Sequence, residues 1–147
     1  MKSLHRQQGS ETVEFAISAS LLFLVLFGII EFSVALFDKA TLTNASREGA
    51  RTGILFRPDP RDTAAEDAAI TAAVQDYADQ YLISLGGAAA MSIDIQRQDL
   101  TGDATFNAGD AVRVTVDYPY HFLLLPEFIG TLGGILNLSA TTVMRAE

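Results

Sequence analysis

Gly9-Ser10-Glu11-Thr12-Val13-Glu14-Phe15-Ala16-Ile17-Ser18-Ala19-Ser20-Leu21-Leu22-Phe23-Leu24-Val25-Leu26-Phe27-Gly28-Ile29-Ile30-Glu31-Phe32-Ser33-Val34-Ala35-Leu36-Phe37 is the stretch from which the rest of the chain is read. Sixteen residues without a charge, Phe15 to Ile30, lie between Glu14 and Glu31, and the apolar character resumes after Glu31 as far as Phe37. A helix from Phe15 to Phe37, rising about 1.5 Å per residue, is long enough to cross a hydrocarbon core of roughly 30 Å. The run contains no proline, so nothing in it breaks the helix.

The flanks orient this helix. Lys2, His5 and Arg6 form a short basic leader ahead of it, and the remainder of the chain is acidic. The excess of positive charge at the amino end puts Met1 in the cytoplasm and the bulk of the protein outside. Glu11 and Glu14 fall where a secretory signal passes directly from basic to apolar residues. An acid deep in a bilayer costs on the order of 2.5–3.5 kcal/mol, and much less at the interface, so Glu14 calls for a positive partner. A cut between Gly9 and Ser10 would create an α-amine four residues, a little over one helical turn, from Glu14.

Gly9 followed by Ser10-Glu11-Thr12-Val13-Glu14-Phe15 and an apolar helix resembles the type IV prepilin motif, in which a prepilin peptidase cuts after Gly and Glu stands fifth in the mature chain. Val13-Glu14-Phe15-Ala16, Arg47-Glu48-Gly49-Ala50-Arg51 and Leu138-Ser139-Ala140-Thr141-Thr142-Val143-Met144-Arg145 further resemble the TadE-like minor pilins, or pseudopilins, of tight-adherence (Tad, Flp-type) pili. Phe15 departs from the Tyr usual in the major Flp pilins, and Glu11 is an extra acid. The resemblance implies cleavage at Gly9 and Ser10, and pairing of Glu14 with an N-terminal amine that sets subunit register. It implies as partners the prepilin peptidase, other pilins, pilus assembly platform proteins and, before assembly, the lipid bilayer. The implied location is the bacterial inner membrane, with the amino end cytoplasmic and the carboxy-terminal domain periplasmic, or a cell-surface pilus. The implied role is in type IV pilus biogenesis, cell adhesion and biofilm formation.

At 147 residues the chain has room for one such helix and one small domain. Three parts are expected: a leader at 1–9, the transmembrane helix and its extension at 10–53, and an outer α+β domain at 54–147. The net charge of −8 becomes −10 once residues 1–9, with Lys2 and Arg6, are removed, which argues against nucleic acid as a partner. Without cysteine there are no disulfides, thiol chemistry or thiolate metal sites. The helix is expected to continue beyond the membrane to about Arg51, although Thr41, Thr43 and Asn44 weaken its middle. Ala45, Gly49 and Gly53 recur every four residues, either as a face for close helix packing or as fraying and capping of the helix end.

Pro58-Asp59-Pro60 marks a turn between stem and domain. Thr63-Ala64-Ala65-Glu66 fits a capping box, and Ile70, Val74, Tyr77 and Tyr81 share one face of a second helix that Gly86-Gly87 would end. The acids Glu66, Asp67, Asp76 and Asp79 are expected mainly on other faces. The two tyrosines read as core or core edge, with a binding stripe as the alternative. Met91, Ile93 and Ile95 alternate with polar residues, as do Val112, Val114, Val116, Tyr118 and Tyr120, and Leu136, Leu138, Ala140 and Met144, so three strands are expected. Pro119 belongs at a strand end or edge. Phe122 to Leu132 is either cover for the bottom of the sheet or an exposed apolar lip.

The fold class is therefore α+β: a long N-terminal transmembrane or filament helix, a second helix and a small antiparallel sheet of about three strands. Asp99, Asp103 and Asp110 lack the spacing of a calcium loop and read as solvated loop acids, so no metal or other cofactor is expected. His121 has no Ser or Asp at a recognisable spacing, and neither a phosphate-cradling loop nor a His-x-x-x-His pair occurs, so no catalytic residue is assigned. Two alternatives have different mature termini. A secreted binding protein cut after Ser33-Val34-Ala35 would begin at Leu36, and an unprocessed single-pass periplasmic binding protein at Met1.

Overall fold

The computed structural model describes residues 5–55, 61–87, 89–123 and 135–146, with side chains from Gly9 onward. Helix α1 runs unbroken over His5–Gly53. Thr41, Thr43 and Asn44 do not interrupt it, because one face of this half is buried and tertiary packing outweighs weak propensity. Hydroxyls along α1 are absorbed by its own backbone: Ser20 and Ser33 donate to the carbonyls of Ala16 and Ile29 at 2.8 and 2.7 Å. In an apolar segment this leaves neither hydroxyl in need of another partner.

Helix α2 spans Thr63–Tyr81. Its start differs from the expected capping box. Asp62, one residue earlier, is the N-cap, its carboxylate accepting from the amides of Ala64 and Ala65 at 3.1 Å. Glu66 turns inward, contrary to its expected place on an outer face, and Glu66, Ile70, Val74 and Ala78 form the buried line of the helix. Two guanidiniums make that burial tolerable. Arg61 Nε and Nη2 donate to Glu66 at 2.9 and 3.1 Å, and Arg97 Nη2 donates at 3.3 Å. The Phe106 ring lies against both arginines, at 4.8 and 5.7 Å. Burial raises the Glu66 pKa, but the hydrogen bonds and charges of Arg61 and Arg97 outweigh it, and the net shift is downward. The helix also ends before the expected Gly86-Gly87. Leu82 is its C-cap, in extended conformation, and the glycines make a later turn in which Gly86 presses against the His121 backbone. Tyr77 is half-buried and Tyr81 largely exposed, their rings 4.8 Å apart at the core edge.

Strands β1 (Ser92–Gln98), β2 (Ala111–His121) and β3 (Ile135–Arg145) form an antiparallel meander in the order β1-β2-β3. The α+β class and the three strands agree with the alternation in the sequence. Val112, Val114, Val116, Tyr118 and Tyr120 of the central strand are all buried, and Leu138 and Ala140 of β3 join them. Pro119 lies past the last β1–β2 pair, Ser92 with Asp117, where β3 alone continues alongside. The loop between β1 and β2 is built on acids. Asp110 accepts from the amides of Leu100, Thr101 and Asn107 at 2.8, 3.1 and 2.9 Å, and Asp99 from those of Gly102 and Ala104 at 2.6 and 2.8 Å. The Pro58–Pro60 turn and most of the Phe122–Leu132 segment lie outside the described residues.

Candidate functional site

α1 has two unlike halves. From Phe15 to Ile30 its apolar side chains point outward on every side: Phe15, Ile17, Leu21, Leu22, Phe23, Val25, Ile29 and others are exposed. From Glu31 upward, Glu31, Ala35, Asp38, Leu42, Ala45 and Gly49 form one buried stripe, with Ser46, Ala50 and Gly53 beside it. Their spacing of 4-3-4-3-4 is that of one helix face. A pattern reading passes over the stripe because two of its members are acids.

Those two acids join the stem to the domain. Glu31 is fully buried, and its Oε1 accepts from the Tyr120 hydroxyl at 2.9 Å and from the Leu123 amide at 3.1 Å. Burial first, and then the hydrogen bond to the Glu31 carboxylate, push the Tyr120 phenol well above its ordinary range. Phe122 closes the joint, edge-on to Tyr120 at 5.4 Å and 6.3 Å from Phe32. Two turns higher, Asp38 is also fully buried and accepts from the Ile83 amide at 2.9 Å, while its Oδ2 has no hydrogen-bond partner among the described residues. Burial raises the Asp38 pKa by more than the Ile83 amide lowers it. Above that level the contact is steric and neutral. Ser46 and Thr142 share a hydrogen bond of 2.7 Å, which brings the Arg47–Arg51 and Leu138–Arg145 blocks alongside each other.

Gly49 and Gly53 sit where α2 and β2 press against α1. A Cβ on Gly49 would run into the Val74 methyl, and one on Gly53 would meet Ile70 and Val112 at 2.9 and 3.1 Å. Ala45 is fully buried on the same face. Gly9, Ser10 and Glu14 are exposed on the first turns of α1, with Ser10 and Glu14 one i,i+4 step apart. About 50 Å of helix axis separates Glu14 from Gly49, so the two groups of residues belong to different sites. Asp99, Asp103 and Asp110 bring carboxylate oxygens within 4.8 Å of one another. Those oxygens accept hydrogen bonds from loop amides and from Thr101, Thr105 and Asn107 side chains.

A long apolar helix bearing a carboxy-terminal domain on its upper half fits a single-pass membrane anchor, since residues within Gly9–Gly53 are apolar and continuous enough to cross a bilayer. The model of the family described as TadE-like protein matches residues 9–51, agreeing with the resemblance carried by Gly9–Ala16 and Arg47–Arg51. The match covers nearly all of α1 and leaves α2 and the sheet outside it. Comparison with curated proteins and with solved structures gives no match. The TadE-like family is not one of enzymes, and it points to a protein associated with the Tad pilus, with other pilus components as partners.

Proposed function

We propose that this chain is a minor pilin or pseudopilin of a bacterial tight-adherence pilus, acting in pilus assembly and through it in adhesion and biofilm formation. The observation that carries the reading is the bare lower half of α1. Sixteen uncharged residues, exposed on all sides, must be covered by something apolar, and lipid before assembly and neighbouring pilin helices after it are the two covers that a pilin uses in turn. In the precursor the helix holds the protein in the inner membrane, Met1 on the cytoplasmic side and the domain in the periplasm. Prepilin peptidase cuts after Gly9 and removes Lys2 and Arg6, the charges that resist withdrawal of the helix from the bilayer. The new amine of Ser10, or that of a neighbouring subunit, pairs with Glu14 and sets register among packed helices. In a low-dielectric setting this pairing matters mainly because an unpaired Glu14 costs more.

The joint at Glu31 supports retention of the whole helix in the mature protein. A cut after Ala35 would separate Glu31 from Tyr120 and Leu123 and leave that hydroxyl and amide without their acceptor. The test is the mass of the mature protein isolated from the cell envelope. The mass of a chain beginning at Ser10 is expected; one beginning at Leu36 or Met1 overturns the proposal in favour of an exported or an unprocessed anchored domain.

A further inference from the structure

The span below the domain is short. Phe15 to Ile30 is sixteen residues, and Glu31 is the first residue of α1 that the domain buries. At about 1.5 Å each, sixteen residues reach about 24 Å, against a hydrocarbon core of about 30 Å. The missing length is found above Glu31, where the apolar surface continues and widens from the helix onto the domain. Phe32 and Leu36 are 56% and 69% exposed, and Leu123, two residues past the lower end of β2, and Ile135, at the lower end of β3, are 58% and 50% exposed.

Between α1 and β3 this surface folds into a groove of about 230 Å³, lined by Phe32, Ala35 and Leu36 on one wall and by Leu136 and Leu138, with the polar Asn137 and Ser139 between and beside them, on the other. Lys39, one turn above Leu36, stands at the same groove and is exposed. Mainly apolar walls with a single ammonium above them match a phospholipid acyl chain below its phosphate, and a lysine at that height extends to the headgroup level. The treatment of Glu31 agrees. An acid facing lipid is costly, and here the domain covers it completely with a hydroxyl and an amide.

We infer that the lower rim of the domain is immersed in the leaflet on its own side of the membrane, with a phospholipid acyl chain in the Phe32–Leu36–Leu136 groove and Lys39 at phosphate level. The inference rests on the proposal that α1 crosses the bilayer. It makes the helix and the rim together, rather than the helix alone, the membrane-binding surface of the precursor.

The chain has no cysteine, so single cysteines can be placed at will. Leu22→Cys, Leu136→Cys and Val143→Cys, each at an exposed position, are labelled with bimane in the full chain. Each is reconstituted in vesicles of phosphatidylethanolamine and phosphatidylglycerol, with and without nitroxide-tailed phosphatidylcholine. The expected result is that labels at Leu22 and Leu136 lose most of their fluorescence to the nitroxide, while Val143, at the far end of the same strand, keeps it. Quenching at Leu22 with Leu136 no more quenched than Val143 overturns the inference and leaves the membrane-spanning reading intact. If the label at Leu136 is unquenched and the unlabelled Leu136→Cys variant crosslinks between copies, the groove belongs to a second subunit and the inference also falls. An unquenched Leu22 removes the spanning reading itself.

Discussion

The lower and upper halves of α1 share one backbone and one helical geometry, yet they carry acids in opposite ways. Glu14 in the lower half is exposed and separated from the domain, whereas Glu31 and Asp38 in the upper half are sealed under it. A carboxylate on an apolar helix can be accommodated by a partner from another part of the same chain or kept for a partner that arrives later. The upper half uses the first solution. On the proposed function, Glu14 uses the second. The contrast shows how one helix can serve as a domain's internal support and as an interface for something outside it.

The sharpest way to break this contrast is to add bulk to each half. Gly49→Leu forces a side chain into the Val74 methyl and should destabilise the domain by about 3 kcal/mol, towards the upper end for overpacking. Ala16→Leu, on the exposed half, should change it by less than about 0.5 kcal/mol. Thermal unfolding of the detergent-solubilised full chain, followed by near-ultraviolet circular dichroism, measures both. Equal effects would mean that the domain does not grip the upper half as described.

Removing the acids is the next largest test. Glu31→Ala strands the Tyr120 hydroxyl and the Leu123 amide and should cost about 2 kcal/mol of domain stability. Glu14→Ala should leave the melting temperature unchanged and instead reduce incorporation into pili, assayed by the fraction of the protein in sheared filaments relative to the envelope.

A smaller effect comes from acid. Glu66 has a folded pKa below its ordinary value, so its contribution to stability is complete above about 4.5 and is lost as pH falls through the folded value. Asp38 has the opposite sign. Its folded pKa is raised, so its contribution is complete below about 3.8 and is lost as pH rises through the folded value. The two acids therefore oppose each other on acidification. Asp38→Asn, which removes a buried charge while keeping an oxygen for the Ile83 amide, should raise the melting temperature slightly at pH 7. It should also make the fall on acidification steeper than in the wild type down to about pH 3.8, because the opposing gain at Asp38 is gone while the losses at Glu66, Asp103 and Asp110 remain. A lower melting temperature at pH 7 would mean that the charge of Asp38 is satisfied in the folded protein.

Much of this architecture is legible in the sequence because it rests on short periods. An uninterrupted apolar run gives α1, and alternation at Ile93–Ile95, Val112–Tyr120 and Leu136–Met144 gives the strands. The departures occur where a residue had two local uses and tertiary partners selected between them. Thr63 and Glu66 satisfy the rule for a capping box, but Asp62 takes the cap and two arginines draw Glu66 inward. Gly86-Gly87 reads as a helix stop, yet α2 ends earlier and Gly86 instead allows the His121 backbone to approach. Glu31 is conspicuous as an acid in an apolar run, but its partners stand 89 and 92 residues further along.

The sequence alone determined the long apolar rod, the Gly9–Glu14 pattern at its head and the α+β class of the domain beyond it, since each is encoded in neighbouring residues through chain geometry and solvent preference. Only the tertiary structure decided that the domain grips α1 from Glu31 upward, that Asp38 and Glu31 are hydrogen-bonded to it, and that the strands run in the order β1-β2-β3. Those outcomes depend on which distant groups can satisfy a buried carboxylate or fill the space beside a glycine. Such complementarity exists only once the chain has closed on itself.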